Sequence, residues 1–549
     1  MKLSKYTLFI ICALGFAACN DIDDISTQGD GLTEAQNKLT VKLIPSRIEA
    51  DFNGMFSMMG KPSLVFGEDA DRADDFGFIM AAISQDAEGP DLVFPNSGYN
   101  WFSSCGSLTS RDPSYANPYI RYAVPYMQIK IANDLIRNYV SSEAEIETAE
   151  FSDEEKNKVA QCLAIRAFDY LSLAPYFQYS YAAGAQDEPC VPLATLDIED
   201  YTHNPRATVK EVYDLVIKNL TWAIDNLDET RKSKMNINKN VALGLRARAY
   251  LATEQWALAA ADAEKAAAGF TPASIEEVST PTFYNIDDHN WIWGYDMTTD
   301  IANSSYATSC SWIGSFSKNS YSCGVAVYAM INNLLYAKIP ATDVRKGWWL
   351  DEKLHSPLLS TIEWEGVKGD EISTLQIADV KEAYLPYTNV KFGAPQIPTE
   401  TNDSDWPLMR VEEMILIQAE GYAKSGDEAK AKEILSNFVK TYRDSSYTIP
   451  AASTRSLVDE IWFQRRVELW GEGFSWADMM RLNKPLVRFH DDKSNEPDAF
   501  RYNLPANDPW LLMRFPQDEI NTNFGVNDNT GGTAPTLGQN PTLRDGVTD

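Results

Sequence analysis

Histidine is scarce in this chain of 549 residues: His203, His289, His355 and His490 are the only four, and none stands at zinc-ligand spacing from another. Seven cysteines include no CxxC pair, so a zinc site built from cysteine or histidine is not expected. Basic residues are also short. The 48 Lys and Arg face 78 Asp and Glu, a formal net charge of −30, and no long basic run occurs, which argues against nucleic-acid binding. Beyond residue 16 no apolar run approaches the ~20 residues of a membrane-spanning helix. Neither a nucleophile elbow nor a metal cluster is present, so the chain offers no hydrolase signature. An acidic chain can hold structural calcium, yet no EF-hand-like loop appears, and no cofactor is expected.

What is present starts at the N-terminus. Lys2 and Lys5 precede an apolar run, Leu8 to Phe16, and then the small pair Ala17-Ala18. That is the layout of a secretory signal, and it is about half of a membrane span. Cys19 follows directly, and Phe16-Ala17-Ala18-Cys19 resembles the lipobox of bacterial lipoproteins. The resemblance implies that residues 1–18 are removed and that the Cys19 thiol is acylated, so that buried acyl chains anchor the protein. Asp21, Asp23 and Asp24 resemble the acidic export tag of surface-exposed lipoproteins, and residues 19–40 read as a lipidated acidic tether. Cys12 leaves with the signal. Cys105, Cys162, Cys190, Cys310 and Cys323 remain, an odd set in which at least one is free or externally paired. Cys310 and Cys323 are close in sequence, but spacing does not prove a bridge.

The fold class reads as mostly α. In "KVAQCLAIRAFDYLSL", Val159, Leu163, Ala167, Tyr170 and Leu171 recur at helical steps. "NVALGLRARAYLATEQWALAAADAEKAAAG" predicts two helices around a short polar turn, and dense alanine lets their backbones approach closely. "RVEEMILIQAEGYAKSGDEAKAKEILSNFVKTY" repeats that design, with Gly426 closing one helix and Asp427 capping the next. Ala249 and Ala261 lie twelve apart, as do Ala419 and Ala431, the separation of small residues in tetratricopeptide repeats. With further helix pairs around 155–227 and 455–484, the chain reads as about four degenerate repeat units. Long irregular, loop-rich insertions and few short strands complete the expectation. Residues 41–272 form its N-terminal part and 273–549 its C-terminal part. The loop-rich insertion 273–404 holds one helical stretch, Val325 to Lys338, and residues 85–120 and 485–549 are loop-rich too.

At residues 459–485 the sequence carries Arg465, Glu468, Leu469, Glu472, Gly473, Asp478 and Arg481 in the order Arg-x-x-Glu-Leu-x-x-Glu-Gly-x-x-x-x-Asp-x-x-Arg. "WPLMRVEEMILIQAEGYAKSGD" adds Arg410, Glu413, Ala419, Glu420 and Gly426, and "LLMRFPQDEINTN" adds Pro516, Glu519, Ile520 and Asn523. "AIRAFDYLSLAPYF" and "ALGLRARAYL" supply two earlier helices. The ordered set resembles the SusD/RagB family of outer-membrane nutrient-binding lipoproteins across nearly the whole mature chain. One departure follows Phe177-Gln178, where an insertion delays Pro189 and Pro192. The charged motif residues read as ion pairs and caps on packed helices. Glu468 and Glu472 are not read as a catalytic pair, since glycoside hydrolysis needs two acids flanking a cleft.

The resemblance implies a lipid-anchored protein on the outer face of the outer membrane. It would capture oligosaccharides without cutting them and pass them to a SusC-like TonB-dependent transporter. The residues suit that chemistry: aromatics make up 11% of the chain, with 14 Trp and 26 Tyr. Flat rings stack on sugar C–H faces while Asn, Asp and Arg bond hydroxyls. "SGYNWF" offers Tyr99, Asn100 and Trp101; "HNWIWGYD" offers Trp291, in a strand with one aromatic face; and "SSYATSCSWIGSFSKNSY" offers Trp312 and Tyr321. These six are the expected glycan contacts, and Trp348 and Trp349 read as core. A repeat scaffold for protein partners and a peptide-binding member of the family are the alternatives.

Overall fold

A computed structural model describes residues 46–70, 72–96, 102–109, 111–304, 313–317, 328–375 and 384–549. Two units divide the chain, Met1–Gly54 and Met55–Asp549. The described part of the first is the start of a helix, Ser46–Ser57. Apart from Gly54, everything below belongs to the second.

Its frame is a row of helices, most of which pack on the next in sequence. They are α1 Gly77–Glu88, α2 Ala116–Ile136, α3 Asp153–Phe177, α4 Val209–Asn226, α5 Lys239–Ala252, α6 Trp256–Ala266, α7 Val411–Lys424, α8 Glu428–Tyr442, α9 Leu457–Glu468 and α10 Ser475–Arg481. Helix α2 packs on α3, α3 on α4, α4 on α5, α5 on α6, α6 on α7, and α7 on both α8 and α9. Local chemistry sets the starts. Ser152 and Glu155 form a capping box on α3, and Thr208 and Glu211 form another on α4. Asn238 and Asp427 accept from backbone N–H groups at the starts of α5 and α8, and Gly426 takes φ 94° between α7 and α8. The predicted Ser-Gly-Asp turn is thus present.

The two alanine-rich hairpins, far apart in sequence, are neighbours in space: residues 267–410 leave the stack after α6 and return at α7. Gly421 makes the contact feasible. A Cβ on Gly421 would lie 2.6 Å from the Trp256 carbonyl oxygen and 2.9 Å from the Ala260 Cβ of α6. Ala249, Ala419 and Ala431 are fully buried, and Ala261 is partly buried. The mostly helical, tetratricopeptide-like reading therefore holds.

Strands are short and paired in antiparallel twos. They are β1 Leu92–Val93, β2 Pro189–Pro192, β3 Arg206–Thr208, β4 Trp291–Tyr295, β5 Met330–Ile331, β6 Glu363–Trp364, β7 Val367–Lys368 and β8 Trp406–Arg410. The pairs are β1 with β5, β2 with β3, β4 with β8, and β6 with β7. One expectation needs correction. The helix sought over Val325–Lys338 is a six-residue helix, Asn333–Lys338, preceded by β5. The Asn332 side chain accepts from Leu334 N at 2.9 Å and starts the helix there, while Met330 and Ile331 are taken by the ladder. Residues 325–327 lie outside the described residues. Residues 85–88 also belong to α1 rather than to a loop. Cys105, Cys162 and Cys190 are buried free thiols, and Cys310 and Cys323 lie outside the described residues.

Candidate functional site

The charged motif residues converge at the core. Arg410 donates from Nε to Glu472 Oε2 and from Nη2 to Oε1, both at 2.8 Å. Arg443 grips Glu468 through Nε and Nη2, again at 2.8 Å each, and Arg345 Nη1 reaches the same carboxylate at 3.2 Å. Lys391 Nζ donates to Glu472 Oε1 at 2.6 Å. All of these side chains are buried. Burial alone would raise the Glu468 carboxyl, but Arg443, Arg410 and Arg345 outweigh it and hold it well below the usual carboxylate range. Burial pushes the Lys391 ammonium down to about 8 despite the opposing pull of Glu472. Glu468 and Glu472 are buried and neutralised by cations, an arrangement that fixes helix register. Among the described residues no three His, Cys, Asp or Glu side chains are grouped to hold a metal ion.

Of the six expected glycan contacts, Tyr99, Asn100, Trp101, Trp312 and Tyr321 lie outside the described residues. Trp291 is described and needs correction. Its ring is fully buried in β4, and a ring with no exposed face cannot stack on a sugar. The strand is covered on both faces: all five residues of β4 and all five of β8 are buried, and Phe168 of α3 meets Trp293 edge to face at 5.0 Å. Trp348 and Trp349 are fully buried too, as expected.

The structure does describe the stems of both aromatic loops. The first loop leaves β1, and Phe94 and Phe102 stack at 5.8 Å on either side of residues 97–101. Phe102 packs in turn against Phe76 at 6.3 Å. The second loop region runs into β5 and is pinned at Ile313–Ser317. Asn389 Nδ2 donates to the Ile313 carbonyl at 3.1 Å, Tyr384 OH to Ser315 O at 2.6 Å, and Tyr328 OH to Ser317 O at 3.0 Å. In the antiparallel ladder Val93 pairs with Met330 and Leu92 with Ile331. The outgoing end of β1 therefore lies beside the incoming end of β5. Two loops more than two hundred residues apart spring from one end of one ladder.

Sequence reasoning passed over Phe66. It is exposed, pairs with Tyr119 at 5.6 Å and carries the Arg72 guanidinium 5.1 Å above its ring. Asp75, next to Phe76, accepts from Phe66 N at 2.9 Å, which ties this aromatic to the stem of the first loop.

Comparison with known proteins adds family to fold. A model described as the SusD family matches residues 373–532, and one described as starch-binding associating with the outer membrane matches residues 85–251. Together the two stretches cover more than half of the chain. The chain belongs to the SusD family. Solved structures agree on the fold. A SusD-like carbohydrate-binding protein from Bacteroides vulgatus is similar at 23% identity and a TM-score of 0.70, over 88% of this chain and 97% of its own. A SusD superfamily protein from Bacteroides thetaiotaomicron is similar at 17% identity and a TM-score of 0.66, over 88% of this chain and 99% of its own. A laminarin-binding SusD-like protein is similar at 16% identity and a TM-score of 0.61, with 88% and 99% covered. No curated protein matches the chain significantly. Among the described residues no helix is long and apolar enough to cross a membrane.

Proposed function

We propose that this SusD-family protein is a cell-surface lipoprotein that captures oligosaccharides and passes them, uncut, to a SusC-like TonB-dependent outer-membrane transporter. Acylation at Cys19 anchors it, and the acidic tether directs it to the exterior. The observation that carries the reading is the Val93–Met330 pairing, because it gathers the stems of the Tyr99-Asn100-Trp101 and Trp312–Tyr321 loops at one end of one ladder. Aromatics and an amide on two loops whose stems adjoin suit the faces and edges of a sugar chain. The carbohydrate-binding relatives and the starch-binding family description support the ligand class.

The test is affinity electrophoresis of the lipid-free mature chain through gels containing starch, laminarin and other plant, host and microbial polysaccharides. One retarded glycan with no release of reducing ends is the expected result. A Trp101→Ala/Trp312→Ala double variant should lose most of that retardation with an unchanged melting temperature. Full retardation of the double variant puts the site elsewhere. No retardation of the parent protein by any polysaccharide turns the reading toward peptide cargo.

A further inference from the structure

The other end of β5 opens into a different feature, a cleft of about 1090 Å³. It begins at Asn333, just past the outgoing end of β5, whereas the loop region enters that strand at its incoming end. The size is at the top of the roughly 300–1,000 Å³ usual for small-molecule sites.

Two half-buried tyrosines form its aromatic wall. Tyr336 and Tyr387 meet edge to face, ring centroids 5.2 Å apart. Burial pushes both phenols up to about 12, so they stay neutral. Tyr387 sits there at a cost in backbone strain, with φ 73° in a region that bulky residues avoid. Three bonds hold it in place. Its N–H donates to Leu350 O and its carbonyl accepts from Ile331 N of β5, each at 3.0 Å, and its hydroxyl donates to Glu352 Oε1 at 3.0 Å. Beneath lies Trp349, fully buried, whose indole N–H has no partner among the described residues. The rim is balanced in charge within a chain of net charge −30: Lys353 and Lys493 stand with Glu352 and Asp492, all exposed. Neither lysine is in an ion pair among the described residues. Sugar hydroxyls both donate and accept, so a rim of mixed, available donors and acceptors around two tyrosine rings suits a neutral polyol better than an ion.

We propose that this cleft is a second glycan site, holding a neutral oligosaccharide of roughly two or three pyranose rings against Tyr336 and Tyr387. The proposal rests on the glycan-binding reading for its ligand class, and on the cleft alone for its place. Because β5 joins the cleft to the loop stems, one long chain can engage both sites and gain effective concentration at the second.

The experiment is calorimetric titration of the full mature chain with neutral hexaoses of glucose, xylose and mannose, in the parent and in the Trp101→Ala/Trp312→Ala variant. The parent is expected to bind two short oligosaccharides per chain, and the loop variant to keep one weak site. Adding Tyr336→Ala should weaken that remaining site about tenfold, as loss of one stacking ring does. Glu352→Ala, which removes an exposed rim acceptor and the partner of the Tyr387 hydroxyl, should also weaken it. A stoichiometry of one in the parent, with nothing left in the loop variant, overturns the second site and leaves the glycan-binding function standing. Residual binding indifferent to both Tyr336→Ala and Glu352→Ala overturns it equally. No heat from any hexaose with any variant overturns both readings together.

Discussion

Arg481 grips both oxygens of Glu420 across 61 residues of sequence, Nη1 to Oε1 at 2.6 Å and Nη2 to Oε2 at 2.8 Å. The same guanidinium donates through Nε to Asp478 Oδ1 at 2.8 Å, and Asp478 Oδ2 accepts from Arg465 Nε at 2.8 Å. The chain Glu420–Arg481–Asp478–Arg465 thus clamps α10 and α9 to α7. Burial would raise both carboxyls, but the arginines outweigh it and hold them below the usual range.

Breaking that clamp from one side should be severe. Arg481→Met leaves Glu420 buried beside the clamp without its strongest cation, a change worth about 3–5 kcal/mol. The measurement is the urea midpoint, with Arg481→Lys recovering only part of the loss because it restores charge without the bidentate fork.

The pH dependence should have two opposing limbs. Glu468, Glu420 and Asp478 have folded-state values below their unfolded ones. Their contribution is complete above the unfolded values and is lost as pH falls through the folded ones. Glu496 behaves in the opposite way, since burial pushes its carboxyl from 4.5 up to about 7. Between those values the folded chain holds a proton that the unfolded chain has released, so stability falls as pH rises. Glu496→Gln should therefore match the parent near pH 4 and exceed it above pH 7, by up to about 3 kcal/mol. Urea midpoints at the two pH values check this, and a constant difference between them would remove the account.

The meeting of α6 and α7 depends on a missing side chain. Gly421→Ala places a Cβ 2.6 Å from the Trp256 carbonyl oxygen, and the helices must separate to admit it. The expected cost is about 1–3 kcal/mol, against the usual gain of Ala over Gly within a helix. A chemical-denaturation series on Gly421→Ala alongside Gly54→Ala, where nothing lies within 4 Å, separates packing from propensity.

How much was legible depended on the range of the interaction. The hairpins α5–α6 and α7–α8 could be read because apolar spacing, the alanines and Ser425-Gly426-Asp427 act within a few residues of each other. The ladder of β1 and β5 could not, since two-residue strands carry no periodicity and their partners are distant in sequence. Trp291 was misplaced for a related reason. Alternating aromatics predict a strand with one aromatic face, and which faces are covered is set by segments that local pattern does not reveal. Tyr336 and Tyr387 carried no signal either. Each is an isolated tyrosine, and only the fold brings their rings to 5.2 Å.

The sequence by itself determined the acidic balance, the helical repeats, the caps, and the ordered Arg and Glu positions that mark the SusD family. Those features are local in the chain, or are fixed by residue type and order. The tertiary structure decided which aromatics were spent on the core, which carboxylates were neutralised, that α6 would lie against α7, and that two distant loops would rise from one ladder with a cleft at its other end. These outcomes depend on what covers each surface after the chain has closed on itself. Burial is a property of the whole packed molecule, and no stretch of residues encodes it alone.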